Sequence, residues 1–195
     1  LSTPLNPLRG NAISPGTIGP EGLSGPLIYV GPGDLQDFNG TPVAGAIVLM
    51  DLASGRNWLH AANSGAKALI YVDRGASPRA LFEDKFELSP IQFPRFWIPA
   101  EILRQAFGDF ESAPVGRVAD DVRLRSEARW ENGLTENIYC LISGTSAERR
   151  KELLLIEAFY DSSARLAGRS PGADEAVAAA TLLQLARFFK QHPPE

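Results

Sequence analysis

Short apolar runs separated by Gly/Pro turns set the pattern of the first half of the chain. Leu27-Ile28-Tyr29-Val30 stops at Gly31-Pro32-Gly33, and Ala46-Ile47-Val48-Leu49-Met50 follows the turn-rich Asn39-Gly40-Thr41-Pro42. Both are strands by their length and β-branched content, with Asp34 to Phe38 predicted to form one helical turn between them. From Gly55 the period changes: Trp58, Ala61, Ala62 and Gly65 fall at helical spacing, and Gly65 ends the segment as glycine commonly ends helices. Ala68-Leu69-Ile70-Tyr71-Val72 is apolar throughout, so residues 46–72 predict a strand-helix-strand crossover, right-handed by default. Phe96-Trp97-Ile98-Pro99 gives another short strand, and Ala100 to Phe107 a short helix bounded by Gly108. Upstream, the density of Pro and Gly in residues 1–26 excludes a helix of any length and leaves room for at most one edge strand.

The second half reads differently. Val115 to Trp130 alternates Val122 and Leu124 with Arg123, Arg125, Glu127 and Arg129, the pattern of a strand with one wet face. Asn137-Ile138-Tyr139-Cys140-Leu141-Ile142 predicts a further strand, and Thr145 with Glu148 a capping box opening one helical turn. Leu153-Leu154-Leu155-Ile156, running into Glu157-Ala158-Phe159-Tyr160-Asp161, is the most continuous aliphatic run of the chain. Followed by Pro171-Gly172-Ala173-Asp174-Glu175 and an alanine-rich pattern, it predicts a buried parallel strand delivering polar groups to the carboxyl edge of a sheet, where open α/β sheets bind ligands. After Asp174, the stripe Ala178, Leu182, Leu185, Ala186, Phe189 opposite Gln184, Arg187, Lys190 and Gln191 predicts an amphipathic helix ending before Pro193.

Composition changes this picture only by exclusion. At 195 residues and 44% hydrophobic content the chain can build a real core. A net charge of -4 gives no basic field of the kind that neutralises phosphates, so no nucleic acid is expected as partner. No apolar segment approaches the ~20 residues that span a bilayer. The single Cys140 permits no internal disulfide and is expected to pack as a small hydrophobe. Glu83, Asp84, Lys85 and Glu87 read as a solvated loop in preference to a cation site. His60 is expected to face solvent near Trp58, and His192 to belong to a fraying tail. The chain opens at Leu1 and stops at Glu195, and both ends are expected to be cut.

Two family resemblances rest on these segments. Gly25-Pro26-Leu27-Ile28-Tyr29-Val30-Gly31, Val43-Ala44-Gly45-Ala46-Ile47-Val48-Leu49, the Asn63-Ser64-Gly65-Ala66-Lys67-Ala68 turn and Trp97-Ile98-Pro99-Ala100 together resemble the protease-associated domain. That family's domain is a small α/β unit attached to peptidases, with a role in substrate access or interaction. Asn137-Ile138, Ile142-Ser143-Gly144-Thr145, Ala158-Phe159-Tyr160-Asp161 and Pro171-Gly172-Ala173-Asp174-Glu175 are similar to the opening of the zinc-dependent aminopeptidase and glutamate-carboxypeptidase family. The implied fold class is α/β: a small mixed α/β protease-associated domain over 24–112 after a Pro/Gly-rich segment 1–23, then an incomplete three-layer zinc-exopeptidase-like α/β segment over 113–195.

The second resemblance implies a zinc site that this chain departs from. Where the family has its first imidazole ligand this chain has Phe159, and a phenyl ring has no lone pair for a metal. Asp161 matches the carboxylate that orients that imidazole from the second shell. Asp174 matches the carboxylate that bridges the two metals, and Glu175 a second acidic position. The bland readings are a loop carboxylate for Asp161 and a helix N-cap for Asp174. The chain is therefore expected to be inactive alone, with no catalytic residue and no cofactor of its own, zinc being the family's. It reads as a non-catalytic module from an aminopeptidase-like protein that binds a peptide or protein partner. The alternative is the amino-terminal portion of an active zinc aminopeptidase whose remaining ligands lie beyond Glu195. The resemblance also implies an extracytoplasmic location, and the helix face of Leu182, Leu185 and Phe189 is the expected surface for self-association.

Overall fold

The computed structural model describes residues 2–8, 17–75, 77–78, 81–82, 84–86, 91–112, 115–128, 131–161 and 173–194. The chain divides into two compact units, Leu1–Arg129 with Arg165–Ala167, and Trp130–Ala164 with Gly168–Glu195. Unit 1 is a mixed α/β fold.

Its elements are β1 (Asn6–Pro7), β2 (Leu23–Tyr29), a 3-10 turn (Leu35–Phe38), β3 (Ile47–Asp51), α1 (Trp58–Asn63), β4 (Ala68–Asp73), β5 (Arg95–Pro99), α2 (Ala100–Phe107) and β6 (Gly116–Leu124). The sheet order is β1-β5-β4-β3-β2-β6. The four inner strands are parallel, with Ile28 opposite Val48, Leu49 opposite Ile70 and Ile70 opposite Phe96. The flanking β1 and β6 run antiparallel to β5 and β2. Each step from β2 to β5 goes to the adjacent strand in the same direction. The strand order of the parallel part therefore never reverses, and the fold lacks the crevice that a reversal opens in doubly wound sheets.

The apolar runs are continuous because both faces of the parallel strands are covered. On one face Ile28, Val30, Val48, Met50, Leu69, Tyr71 and Trp97 pack with Trp58 and Ala61 of α1 and with Phe82. On the other, Leu27, Tyr29, Ile47, Leu49, Ile70, Val72, Phe96 and Ile98 pack with Leu103 of α2, Phe110 and Ile18. Each fully buried aliphatic side chain is worth ~1.5–3 kcal/mol by area, so this two-sided core dominates the stability of unit 1. Gly25 is required where β2 meets the turn before β3: a Cβ there would lie 2.5 Å from the Gly45 carbonyl oxygen. The ladder between β2 and β6 shifts register at this point, between Gly25 and Leu27.

Both sheet edges carry protection against stray pairing. β1 is two residues long and contains Pro7, which offers no N–H to a newcomer. β6 displays Arg117, Asp120, Asp121 and Arg123 along a largely solvent-facing strand, and charge on an edge discourages further strands. The sequence pattern placed β6 at the start of the second domain and β1 in a separate leading segment. In the structure both belong to the sheet of unit 1.

Unit 2 contains α3 (Ala173–Gln191). Ala179, Leu182, Leu185, Ala186 and Phe189 are its less exposed positions, so the predicted stripe holds except at its first member, Ala178, which is exposed, while Val177, Leu183 and Phe188 stand out in solvent. The two strands expected here do not form. Residues 137–142 and 152–160 belong to no helix or strand and have no ladder partner among the described residues, and a parallel strand is only as stable as the neighbours that accept its hydrogen bonds. The capping box at Thr145 is also replaced. Thr145 binds the Pro194 carbonyl through its backbone N–H, 2.9 Å, and its hydroxyl, 3.3 Å, while Ser146 Oγ accepts from the Arg149 N–H in a simple turn.

Candidate functional site

The carboxyl ends of β2, β3 and β4 bring Tyr29, Asp51 and Arg74 together, and the turn after α2 adds Glu111. The Tyr29 hydroxyl donates to Asp51 Oδ1 at 2.8 Å. Arg74 straddles the same carboxylate, with Nη2 2.9 Å from Oδ1 and Nη1 3.2 Å from Oδ2, and Nη2 also donates to the Tyr29 hydroxyl at 3.0 Å. Its Nε donates to Glu111 Oε1 at 2.8 Å, and Arg104 of α2 holds Glu111 Oε2 from Nε at 2.9 Å. The guanidinium fork suits this double pairing because it presents parallel donors in fixed geometry.

Charge at this edge is balanced from within. Burial raises the Tyr29 hydroxyl to about 12, with the Asp51 hydrogen bond adding to it and the Arg74 charge opposing. Burial also pushes the Glu111 carboxyl up, but the hydrogen bonds from Arg74 and Arg104 overcome it and hold the group below its usual range. Hydrogen bonds and charge from Glu111 and Asp51 outweigh the burial of Arg74 and raise it. The place where an α/β sheet normally opens to a ligand is thus braced by one arginine between two carboxylates.

Arg74→Met is expected to cost about 1–3 kcal/mol, since it leaves Asp51 and Glu111 without their shared cation. The lower end is favoured because Arg74 is itself half exposed and screened by solvent. Urea unfolding at neutral pH measures the loss. A lowered carboxyl contributes stability above its unfolded value, near 4.3 for Glu, that is lost as pH falls through the folded one. The acid limb of the stability curve should therefore be shallower in the variant.

A second polar cluster lies inside the other face of unit 1. Lys85, expected in a solvated loop, is fully buried. Its Nζ donates to the Gly55 carbonyl at 2.6 Å and sits 5.1 Å from the centre of the Tyr71 ring. Burial pushes its ammonium down to about 8, with Asp84 opposing and Arg95 reinforcing. Arg95 of β5 donates from Nη1 to the Lys85 carbonyl at 2.7 Å, and its guanidinium carbon lies 3.9 Å above the Trp58 ring. Trp58 stacks in turn on Phe93 at 6.3 Å between ring centres. Burial raises the Tyr71 hydroxyl, against the pull of Arg95. The cluster fastens the excursion between β4 and β5 to α1 and the sheet. Glu83 and Glu87 lie outside the described residues. No sequence pattern marked Lys85, because a lone lysine among acidic residues looks the same whether its stem is solvated or covered by aromatic rings.

The residues singled out from the sequence fall elsewhere. Phe159 and Asp161 are exposed in a part of unit 2 that belongs to no strand, which corrects the expectation of a buried strand end. Asp174 and Glu175 are the second and third residues of α3, so Asp174 lies within the helix and not at its expected N-cap position; their side chains, and Pro171 and Gly172, lie outside the described residues. Among the described residues no group of three or more His, Cys, Asp or Glu comes together. Cys140 is exposed, not packed as a small hydrophobe, because its segment has no ladder partner among the described residues that would cover it. His60 is half-buried and not free in solvent: Nδ1 lies 3.0 Å from the Gly33 carbonyl oxygen and the ring packs edge-on to Phe38. The His192 ring packs against Phe188 at a 40° tilt, 4.8 Å between ring centres. No helix among the described residues is long and apolar enough to cross a membrane.

No family model matches the sequence, and no curated protein matches it. Among solved structures, the fold is similar to part of the aminopeptidase from Aneurinibacillus sp. strain AM-1, with 18% identity and a TM-score of 0.36 over 63% of this chain and 32% of that one. The chain thus spans about a third of that aminopeptidase.

Proposed function

We propose that the chain is a non-catalytic binding module: a protease-associated-like scaffold joined to a peptidase-like segment that has given up its metal chemistry and holds a peptide or protein partner. One observation carries the reading. Leu153, Leu154 and Leu155 are 77%, 79% and 70% exposed on a segment with no ladder partner among the described residues, and contiguous exposed apolar surface of this kind marks an interaction site. The contrast with unit 1 sharpens it, since the permanent edges β1 and β6 carry proline or charge while the apolar run of unit 2 carries neither between Glu152 and Glu157. An extended partner strand suits such a segment: main-chain hydrogen bonds supply affinity and alternate side chains supply selectivity. Phe159 supports the non-catalytic half of the proposal, because no metal takes a ligand from a phenyl ring.

The test uses a fluorescein-labelled, Val/Thr-rich strand-forming octapeptide, read by anisotropy. The chain is expected to bind it, and Leu154→Asp with Ile156→Asp to weaken binding by about tenfold or more, equivalent to ~1.4 kcal/mol. Parallel samples are titrated with zinc and assayed on leucine p-nitroanilide. Stoichiometric zinc with turnover would establish the enzyme reading instead, and binding indifferent to the two aspartates would sink the module reading.

A further inference from the structure

We infer that the apolar segment of unit 2 pairs antiparallel with the same segment of a second copy of the chain, about a two-fold axis at Leu154. The inference deepens the binding reading just given and rests on it, naming the partner as a second copy. Charge placement carries it. The segment is flanked by Arg149-Arg150-Lys151 on its amino side and by Glu157 and Asp161 on its carboxyl side, so it is basic at one end, acidic at the other and uncharged between Glu152 and Glu157. Residues 152–160 belong to no helix or strand and have no ladder partner among the described residues. Lys151 and Glu157 are exposed. The ion pair of this stretch, Arg149 Nε to Glu152 Oε2 at 3.7 Å, involves neither of them.

That polarity selects both direction and register. Parallel, in-register pairing of two copies would set Lys151 on Lys151 and Glu157 on Glu157, and like charges directly opposite are destabilising. Antiparallel pairing brings the basic flank of each copy to the acidic flank of the other. With Leu154 on the axis, Leu153 faces Leu155 and Lys151 faces Glu157, twice per dimer. Sliding by one residue in either direction turns every side chain to the opposite face, and sliding in one of the two directions also sets Glu152 against Glu157, so pattern holds the register and charge opposes one of the two slips. A two-fold contact of this type is self-complementary and closes on itself, so it yields a dimer and not an open fibre.

Charge-swapped variants of the whole chain decide the matter by sedimentation equilibrium. Wild type is expected to dimerise, and Lys151→Glu and Glu157→Lys each to weaken self-association by about tenfold, since each turns two attractive cross-strand contacts repulsive. Mixing the two variants should restore a dimer containing one copy of each, because both contacts are then opposite in sign. The double variant should recover self-association. Monomeric wild type at all concentrations, or association indifferent to the swaps, overturns the inference. Failure of homotypic pairing with octapeptide binding intact would leave the module reading standing, whereas loss of both would remove that reading as well.

Discussion

Trp58→Ala is expected to lower the unfolding free energy of unit 1 by about 4 kcal/mol, the range for removing a fully buried large aromatic side chain. Trp58 is 1% exposed, is stacked on Phe93 and carries the Arg95 guanidinium on its face. It also belongs to the apolar cluster that joins α1 to the sheet. Truncation removes the transfer energy of the indole and leaves a void between α1 and the excursion before β5. It also strips a buried guanidinium of a cation–π contact worth roughly 1–2 kcal/mol when desolvated. Since domains of this size hold only about 5–15 kcal/mol in reserve, the variant should lose a large part of its stability at room temperature. Guanidinium unfolding followed by far-ultraviolet circular dichroism measures the change. Trp58→Phe should retain part of the stacking and cost less. Phe188→Ala, at a half-exposed site on α3, should shift stability by less than about 0.5 kcal/mol. Equal effects from Trp58→Ala and Phe188→Ala would mean that α1 is not held by this cluster.

Legibility followed covering. The runs 46–50 and 68–72 read as strands because β3 and β4 lie inside the sheet with both faces buried, so every position is apolar and the pattern is dense. The 3-10 turn and α2 were legible from local signals alone, Asp34 before the turn and Gly108 after the helix. What sequence could not convey was partnership. Leu153 to Ile156 carries the same apolar density as β4, yet a strand requires a neighbour to accept its hydrogen bonds, and among the described residues this segment has none. The wet alternation of residues 115–130 marks a strand that the structure forms over Gly116–Leu124, leaving 125–128 outside it, but does not say which sheet it joins; β6 closes unit 1 by pairing with β2, far away in sequence.

The same distinction applies to the candidate site. The family resemblance directed attention to Phe159, Asp161 and Asp174, which are close in sequence order around one expected strand end. The clusters that the fold assembles in unit 1 draw on residues spread over several elements. Tyr29, Asp51, Arg74 and Glu111 meet because three parallel strands end side by side and the turn after α2 returns to them. No short motif encodes that convergence. Carboxylates at the ends of adjacent strands were the available signal, with Asp51 and Asp73 each closing an apolar run.

Lys85→Met is expected to leave the chain as stable as wild type or more stable at pH 7, and to abolish a rise in stability that wild type shows from pH 8 upward. The ammonium is fully buried, and its pKa is pushed down to about 8, chiefly by that burial. The folded state therefore releases this proton near pH 8, whereas an unfolded lysine keeps it to about 10.4. Between those values the unfolded chain binds more protons, so unfolding becomes less favourable as pH rises. A tenfold difference in proton affinity between the two states corresponds to ~1.4 kcal/mol, giving a total change of up to about 3 kcal/mol. Tyr29 acts in the opposite sense at higher pH. Its raised value, about 12, means that its contribution is complete below the unfolded value near 10 and disappears as pH climbs through the folded one. The Lys85 contribution thus grows from pH 8 towards pH 10, and the Tyr29 contribution declines above that. Methionine matches the lysine stem in shape and carries no charge. The Gly55 carbonyl, on an exposed residue, can turn to water, and the Lys85 backbone carbonyl that receives Arg95 is untouched by the substitution. Urea midpoints at pH 7, 8.5 and 10 should rise for wild type and stay level for the variant. A level wild-type series, or a variant weaker at pH 7, would show that the ammonium is solvated or paired and that the aromatic enclosure of Lys85 does not govern its charge.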